Sequence, residues 1–247
     1  WSIVLYAMWL LFRLHKRGYD KFTTIKNSYA THHHLFLVIK NKDMHVREIL
    51  RRGWQMIEKI QQAYGGSGMT AYITHTACLG HNMGEGHPEG PERLAAIKDR
   101  LMAAQVFDFL NQVEAPSVSA SQLARVHPPK YIEYLESVQP TVGTYRVDTD
   151  TAMNSGTLSA ARHAAGAVVK AVDMVMNKQA PNAFCAIRPP GHHAETRKAM
   201  GFCFFNNIAV GAMHAIAEHG IERVAILDFD VHHGNGTEEI FKNDERV

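Results

Sequence analysis

The chain has 247 residues, of which 46% are hydrophobic, and this length is sufficient for one large domain with a buried core. Its formal net charge is only +2, so the overall charge gives no indication of nucleic-acid binding. Three cysteines are too few for a disulfide framework, which favours a reducing compartment and a cytoplasmic protein.

Residues 1–68 differ in charge from residues 69–247. The first segment holds 11 Lys and Arg against 4 Asp and Glu, whereas the second holds 15 against 20. A glycine-rich stretch ends at Gly68, and Met69 follows it. We therefore expect the domain to begin at Met69, with residues 1–68 as a non-native or disordered N-terminal extension.

A membrane anchor is the alternative interpretation of the N-terminus. Residues 1–12 are apolar, and basic side chains follow them as far as Lys21. A transmembrane helix needs about 20 apolar residues, and this run is too short. No membrane association is therefore expected, and residues 1–21 are the segment that could contradict this expectation.

Beyond Met69 the hydrophobic pattern alternates between strands and helices. The predicted strands cover residues 71–75, 183–187 and 224–229. The predicted helices cover residues 91–106, 129–138, 155–177 and 206–219. The long third helix is expected to be capped by Asn154 or Ser155. This order of elements predicts an α/β fold with a central parallel sheet that is covered on both faces by helices.

The segment from Ile226 to Gly236 carries the strongest chemical pattern in the chain. It reads as an apolar strand that ends in Asp228, Asp230 and His232, and alternate residues of a strand point to the same side. Asp230 and His232 then form an adjacent oxygen and nitrogen pair that suits a divalent ion such as zinc. A metal is also the simplest partner for such groups, because they are costly to desolvate unpaired.

A second pattern is the pair His192 and His193, in a proline- and glycine-rich loop that follows the strand predicted over 183–187. Imidazole accepts and returns a proton near neutral pH, so the pair suits general acid and base chemistry. Both patterns follow predicted parallel strands, and ligand sites of α/β folds lie beyond the carboxyl ends of such strands. We therefore expect the two patterns to meet in one site.

These motifs resemble the zinc-dependent histone deacetylase superfamily, which includes acetylpolyamine amidohydrolases, and are most similar to its class II type. The five matching segments are residues 87–93, 147–151, 188–195, 201–207 and 230–238. The resemblance covers roughly residues 70–247. It implies a three-layer α/β sandwich of the arginase and deacetylase type with a central parallel sheet, of which this chain would hold the N-terminal part, incomplete at the C-terminus.

The resemblance also implies roles for the residues around the metal. Asp230 and His232 would hold one catalytic zinc ion, and His193 would be the general base with His192 as its neighbour. Asp228 would pair with His192, and a potassium ion is implied near Asp228. His193 would pair with the side-chain amide of Asn235.

The substrate implied by the resemblance is an acetylated lysine side chain or an acetylpolyamine. Gly201 and Phe202 would form a wall of the tunnel that receives it. Asp150 would accept hydrogen bonds from the substrate backbone, although Asp148 lies only two residues away. His214, on the helix predicted over 206–219, is expected to be structural, as is the neighbouring His219.

Two other functions are compatible with the sequence. One is an arginase-type ureohydrolase with two manganese ions, although the His192–His193 pair counts against it. The other is a non-catalytic protein that binds acyl-lysine or polyamine. The family's third metal ligand, an aspartate, and its oxyanion-stabilising tyrosine are expected downstream of His232, where 15 residues remain. We therefore expect the chain to be a fragment that binds zinc weakly and shows little turnover.

Overall fold

The computed structural model describes residues 68–247. The predicted N-terminal extension and the apolar segment at residues 1–12 lie outside the described residues. The domain boundary at Met69 therefore stays a prediction. All statements on the fold concern residues 68–247.

A three-stranded parallel sheet forms the centre of the fold. Its strands are β1 (Ala71–Thr74), β2 (Asn111–Glu114) and β5 (Ala183–Cys185), in the spatial order β2-β1-β5. Ala71 pairs with Asn111 on one side and with Ala183 on the other. A separate antiparallel pair consists of β3 (Tyr145–Arg146) and β4 (Ala152–Met153). The prediction of a parallel sheet is confirmed.

Six α-helices surround these strands in the described part of the chain. They are α1 (Glu92–Ala103), α2 (Ala120–Leu123), α3 (Pro129–Val138), α4 (Thr157–Met176), α5 (Asn207–His219) and α6 (Asn235–Phe241). The four helices predicted from periodicity correspond to α1, α3, α4 and α5 with small shifts at their ends. None of the helices between residues 68 and 247 has both the length and the apolar character that crossing a membrane requires.

The alternation of side chains along β1 places helices on both faces of the sheet. Ala71 and Ile73 are buried in one cluster with Met174 of α4. Tyr72 points to the opposite face and is buried with Leu94 of α1. These contacts give the three-layer α/β sandwich that the sequence predicts.

The largest hydrophobic cluster forms where α4 packs against α5. Ala161 and Ala165 of α4 are fully buried there, and their small side chains allow a close approach of Val210 on α5. Phe204 and Phe205 precede α5 and are also buried in this cluster. Burial of each phenyl ring stabilises the fold by about 1.5–3 kcal/mol relative to exposure. The packing fixes the start of α5 beside the loop that carries the paired histidines.

The strand predicted over residues 224–229 is wrong. Within the described residues this segment has no strand partner, and the Phe229 side chain is 67% exposed. Oδ1 of Asp228 accepts a hydrogen bond from the Asp230 backbone N–H at 3.1 Å, and Oδ1 of Asp230 accepts one from the His232 backbone N–H at 2.8 Å. Such contacts two residues apart curl the backbone and compete with strand pairing.

The predicted cap of α4 is also wrong. Its N-cap is Gly156, which makes no side-chain capping hydrogen bond. Asn154 instead donates from Nδ2 to the Gly80 carbonyl at 2.9 Å and accepts at Oδ1 from the Thr157 hydroxyl at 2.9 Å. A Cβ atom at position 156 would overlap the Gly80 backbone, so this close approach requires glycine at the N-cap. Ser155, the other predicted cap, precedes Gly156 and is not the N-cap.

Candidate active site

The loop after β5 places two imidazole rings side by side. The ring centroids of His192 and His193 are 4.0 Å apart. The loop is anchored by Arg188, which is fully buried and donates to both carboxylate oxygens of Glu89 at 2.8 and 2.7 Å. Arg188 also donates to the Cys78 carbonyl at 2.7 Å. Charge-assisted bidentate contacts of this kind are rigid, so the loop position is well defined.

The two histidines have different hydrogen-bond partners. Nδ1 of His192 lies 2.7 Å from Oδ2 of Asp228, and Nδ1 of His193 lies 2.7 Å from Oδ1 of Asn235. His192 therefore has a negative charge beside it, whereas His193 has a neutral amide. No residue between 68 and 247 hydrogen-bonds Nε2 of either ring. We call these four residues the loop cluster.

Helix α6 holds the amide of the loop cluster in place. The backbone N–H of Thr237 donates to the His192 carbonyl at 3.1 Å. Gly236 is buried against the Ala194 carbonyl, where a Cβ atom would overlap. The first turn of α6 thus rests directly on the backbone of the histidine loop, and this contact brings Asn235 to His193.

Asp230 and His232 lie next to each other at the edge of the loop cluster. Nδ1 of His232 is 2.9 Å from Oδ1 of Asp230, and the ring centroids of His232 and His193 are 6.1 Å apart. The backbone N–H of His232 donates to the Asp230 carboxylate and lowers its pKa, so the carboxylate is charged at neutral pH. In this contact Nδ1–H of His232 donates to the carboxylate, and a zinc ion would replace that proton between an anionic oxygen and an imidazole nitrogen, a donor pair that fits zinc.

The candidate tunnel wall lies against the general-base candidate. A Cβ atom at Gly201 would overlap the His193 ring, and Gly201 has a φ of 56°. Phe202 also has a positive φ, 68°, which is rare for a residue with a side chain. Its ring packs edge to face on His87 at a centroid distance of 4.6 Å. The structure therefore brings Gly201, Phe202 and the histidine loop together.

Asp150 is connected to this wall through a residue that the sequence analysis did not assign. Oδ1 of Asp150 accepts from the Thr151 hydroxyl at 2.8 Å, and the Thr151 oxygen accepts from the Phe202 backbone N–H at 2.9 Å. Thr151 is fully buried. Asp148, the neighbouring carboxylate, lies 3.8 Å from the Lys198 ammonium instead. In the sequence, Thr151 was indicated only by its place in the motif at residues 147–151.

A second group of histidines forms between α4 and α5. Oδ1 of Asp173 lies 2.7 Å from Nε2 of His214 and 2.8 Å from Nε2 of His219. Nη1 of Arg125 lies 3.1 Å from Nδ1 of His214, and its Nη2 donates to Glu218. We call Arg125, Asp173, His214 and His219 the helix cluster.

Three atoms of the helix cluster that could bind a metal lie within 4.8 Å of one another. Among residues 68–247, no other set of three His, Cys, Asp or Glu side chains brings its ligand atoms this close together. Guanidinium only donates, so Nδ1 of His214 accepts and its proton is on Nε2, directed at Asp173. The nitrogen that would bind a metal is therefore protonated. The contacts of His214 favour a structural role, and the structural roles of His214 and His219 stay predictions.

Comparison with known proteins adds sequence evidence to this geometry. Residues 87–247 match the family model described as the histone deacetylase domain. A probable deacetylase from Archaeoglobus fulgidus is 40% identical over 181 residues, which cover 72% of this chain and 50% of that protein. A histone deacetylase-like amidohydrolase from Pseudomonas aeruginosa is 43% identical over 156 residues, which cover 63% of this chain and 41% of that protein.

A solved structure gives the same result for the fold. The crystal structure of the HDA15 HD domain aligns with a TM-score of 0.68 and 36% sequence identity, over 73% of this chain and 52% of that one. The chain thus spans about half the length of the curated relatives named above. Because the family match covers most of the chain and the fold agrees with it, the chain belongs to the histone deacetylase family.

Proposed function

We propose that the protein is a zinc-dependent deacetylase that removes acetyl groups from lysine side chains or from polyamines. The observation that carries the proposal is the open Nε2 of His193 beside the Asp230–His232 pair, 6.1 Å away by ring centroids. The proposal is also supported by the family membership and by the relatives whose names describe a deacetylase and an amidohydrolase.

Asp230 and His232 would hold the zinc ion. When bound, zinc supplies an acidic water molecule and polarises the acetyl carbonyl. A catalytic zinc usually has three protein ligands, and this pair contributes two. We keep a potassium ion near Asp228 as part of the proposal, although both oxygens of that carboxylate already contact other groups, the His192 ring and the Asp230 backbone N–H.

His193 acts as the base in this proposal. Its Nδ1 proton is directed at Asn235, so Nε2 of the neutral ring has a lone pair that takes a proton from the attacking water. The same nitrogen then returns the proton to the leaving amine. His192 has the charge of Asp228 beside it and, as the neighbour of the base, would help to handle the proton or the charge that develops on the acetyl oxygen.

The substrate would enter along the wall formed by Gly201 and Phe202. An extended alkyl chain fits the apolar face of the Phe202 ring, and the hydrocarbon stem of acetyl-lysine or of a polyamine is such a chain. Asp150 would accept hydrogen bonds from the substrate at the rim, because its side chain is exposed. Thr151 joins that rim to the Phe202 backbone.

Acetate release tests this function most simply. The protein expressed from its whole reading frame is supplied with zinc and with either an acetyl-lysine peptide or an acetylpolyamine, and a His193→Ala variant serves as the control. We expect zinc-dependent acetate release by the unchanged protein. Urea formation from arginine with manganese would instead favour the ureohydrolase, and binding of the acetyl substrate without hydrolysis would favour a non-catalytic binding protein.

We expect the 247 residues by themselves to bind zinc weakly and to turn over far more slowly than the roughly 10 s⁻¹ of a typical enzyme. The physical reason is that Asp230 and His232 provide two of the usual three ligands. Hydrolysis at ordinary enzymatic rates by this chain would contradict the expectation. A cytoplasmic location also belongs to the proposal, and fractionation of cells that express the protein would test it.

A further inference from the structure

The amide of Asn235 makes three contacts, of which the motifs predict only the one with His193. Its Oδ1 lies 2.7 Å from Nδ1 of His193, and its Nδ2 lies 3.0 Å from Oε1 of Glu195 and 3.5 Å from Sδ of Met200. Both ends of the amide are therefore engaged. Glu195 follows the paired histidines by two residues and is partly buried.

The chemistry of the partners determines which way the amide points. An ionised carboxylate only accepts hydrogen bonds, and an amide accepts at oxygen and donates at nitrogen. The NH₂ end of Asn235 must therefore face Glu195, and the oxygen must face His193. Without such a partner the two orientations of an asparagine amide differ little, since its oxygen and nitrogen are nearly equal in size.

The orientation of the amide in turn determines the tautomer of the histidine. An amide oxygen can only accept, so Nδ1 of His193 must carry the proton that it receives. Neutral His193 then has its lone pair on Nε2, the nitrogen to which no described residue hydrogen-bonds. With the amide reversed, NH₂ would donate to Nδ1, the proton would move to Nε2, and the ring could no longer accept a proton there.

The position of Glu195 is itself fixed by the backbone. Its N–H donates to the Lys198 carbonyl at 3.0 Å, and the Lys198 N–H donates back at 3.5 Å, which closes a tight turn. Gly236 packs against Ala194 on the other side and sets the distance between this turn and α6. Glu195 and Asn235 are thus held opposite each other by two independent backbone contacts.

We propose that Glu195 is a positioning residue: it orients the Asn235 amide and so keeps the His193 proton on Nδ1, leaving Nε2 available as the base. The value of this arrangement for catalysis rests on the proposed deacetylase function, but the orientation itself does not. The carboxylate stays one side chain away from His193. It therefore fixes the tautomer without placing a charge in contact with the ring.

Nitrogen NMR of the histidine ring tests the proposal directly, because it distinguishes the two tautomers without any turnover. The metal-free 247-residue chain is labelled with ¹⁵N-histidine and measured at about pH 8, above the ordinary histidine pKa of about 6.5. The His193 signals are assigned by their loss in His193→Gln. We expect the unchanged protein to hold His193 in the Nδ1–H form.

Two variants and one control complete the test. In Glu195→Ala we expect the Nε2–H form of His193 to rise at least severalfold, whereas Glu195→Gln should resemble the unchanged protein because its Oε1 can still accept from Asn235. Glu238→Ala is the matched control: it removes a carboxylate 2.7 Å from another histidine, His233, and should leave the His193 signals unchanged. Circular dichroism checks that each variant is folded.

An identical tautomer ratio in Glu195→Ala and the unchanged protein would overturn the proposal, as would a predominant Nε2–H form in the unchanged protein. In the whole protein we expect Glu195→Ala to lower kcat roughly 10- to 100-fold with little change in KM, as for other residues that orient a catalytic side chain. If the whole protein releases no acetate, the proposed function fails, while the tautomer measurement still decides the role of Glu195.

Discussion

The loop cluster and the helix cluster contain the same kinds of side chain, yet they differ in what is left unpaired. In the loop cluster each histidine uses Nδ1 for one partner, and Nε2 has no partner in residues 68–247. In the helix cluster both Nε2 atoms share one carboxylate oxygen, and Arg125 occupies Nδ1 of His214. Both histidines of the loop cluster thus keep a free Nε2, whereas His214 of the helix cluster has both ring nitrogens engaged.

The supports of the two clusters also differ. The helix cluster lies between α4 and α5, and the side chain of His214 is only 5% exposed. In the loop cluster, Asn235 begins α6 while the other three residues lie on irregular backbone. Beside them lie Asp230 and His232, whose side chains are 50% and 73% exposed. Within the clusters themselves the exposure is similar: the side chains of His192 and Asp228 are 17% and 33% exposed, and those of His219 and Asp173 are 16% and 36%. The exposed neighbours Asp230 and His232 therefore make the loop cluster accessible to a ligand.

Removal of the proposed base is expected to have the largest effect. His193→Ala in the whole protein should lower kcat by about 10²–10⁴-fold, because a positioned general base contributes that much. His214→Ala, which removes a histidine from the helix cluster, should leave kcat of the folded fraction unchanged. Acetate release measures both. Equal losses in the two variants would remove the functional distinction between the clusters.

Zinc affinity gives the next largest effect. His232→Ala should weaken zinc binding by at least roughly tenfold, because loss of a ligand costs no less than loss of a group that supports one. His219→Ala should not weaken it, because the proposal places the ion at Asp230 and His232. Competition with a coloured chelator measures both affinities at one pH. Stronger dependence on His219 than on His232 would reverse the assignment.

The free energy of unfolding, unlike zinc affinity, should depend more on the helix cluster than on Asp230. Asp173→Ala leaves two imidazole N–H groups without their acceptor and should lower the free energy of unfolding by about 1–3 kcal/mol, near the lower end because Asp173 is 36% exposed. Asp230→Ala, at a half-exposed position, should change it by less than about 0.5 kcal/mol. Urea denaturation of the metal-free chain compares them. A larger loss for Asp230→Ala would contradict this contrast.

Lowering the pH should have the smallest effect, a loss of the free energy of unfolding that Asp173 contributes. Burial raises the pKa of Asp173, but hydrogen bonds from His214 and His219 outweigh it, and the resulting pKa is lowered. Such a carboxyl stabilises the folded state above its unfolded pKa of about 4, and this stabilisation is lost as the pH falls through the lower folded value. Arg125 and Glu218 are the other charged groups that face this cluster.

The measurement is urea denaturation of the unchanged chain and of Asp173→Asn at several pH values between about 5 and 3. The two free energies of unfolding should converge as the pH falls below about 4, where the aspartate becomes protonated. A difference that grows on acidification would show that Asp173 does not stabilise the folded state as an anion.

The sequence predicted the strands and helices whose apolar pattern lies within one segment of the chain. The parallel strands β1 and β5 and the helix α5 were predicted from their apolar patterns. The structure adds the cap of α5, where the Asn206 side chain accepts from the Ala209 N–H at 3.1 Å. The short helix α2 was missed, although Ser119 and Gln122 form a capping box that carries a sequence signal.

The remaining features depend on contacts that a pattern does not contain. Alternation over residues 224–229 predicted a strand, but the carboxylates of Asp228 and Asp230 bind the backbone instead. Glu195 was visible in its motif, yet its role depends on the distance to an amide 40 positions away. The motifs indicated the residues of the loop cluster, and the structure brings them together, while their catalytic roles remain predictions.

Zinc K-edge X-ray absorption of the whole protein loaded with one equivalent of zinc tests the central claim most directly, because it reports the ligands of the ion. We expect nitrogen and oxygen neighbours at about 2.0–2.2 Å, with one imidazole lost from the spectrum in His232→Ala and no change in His214→Ala. Loss of an imidazole in His214→Ala with an unchanged spectrum in His232→Ala would contradict it, because the ion would then lie in the helix cluster.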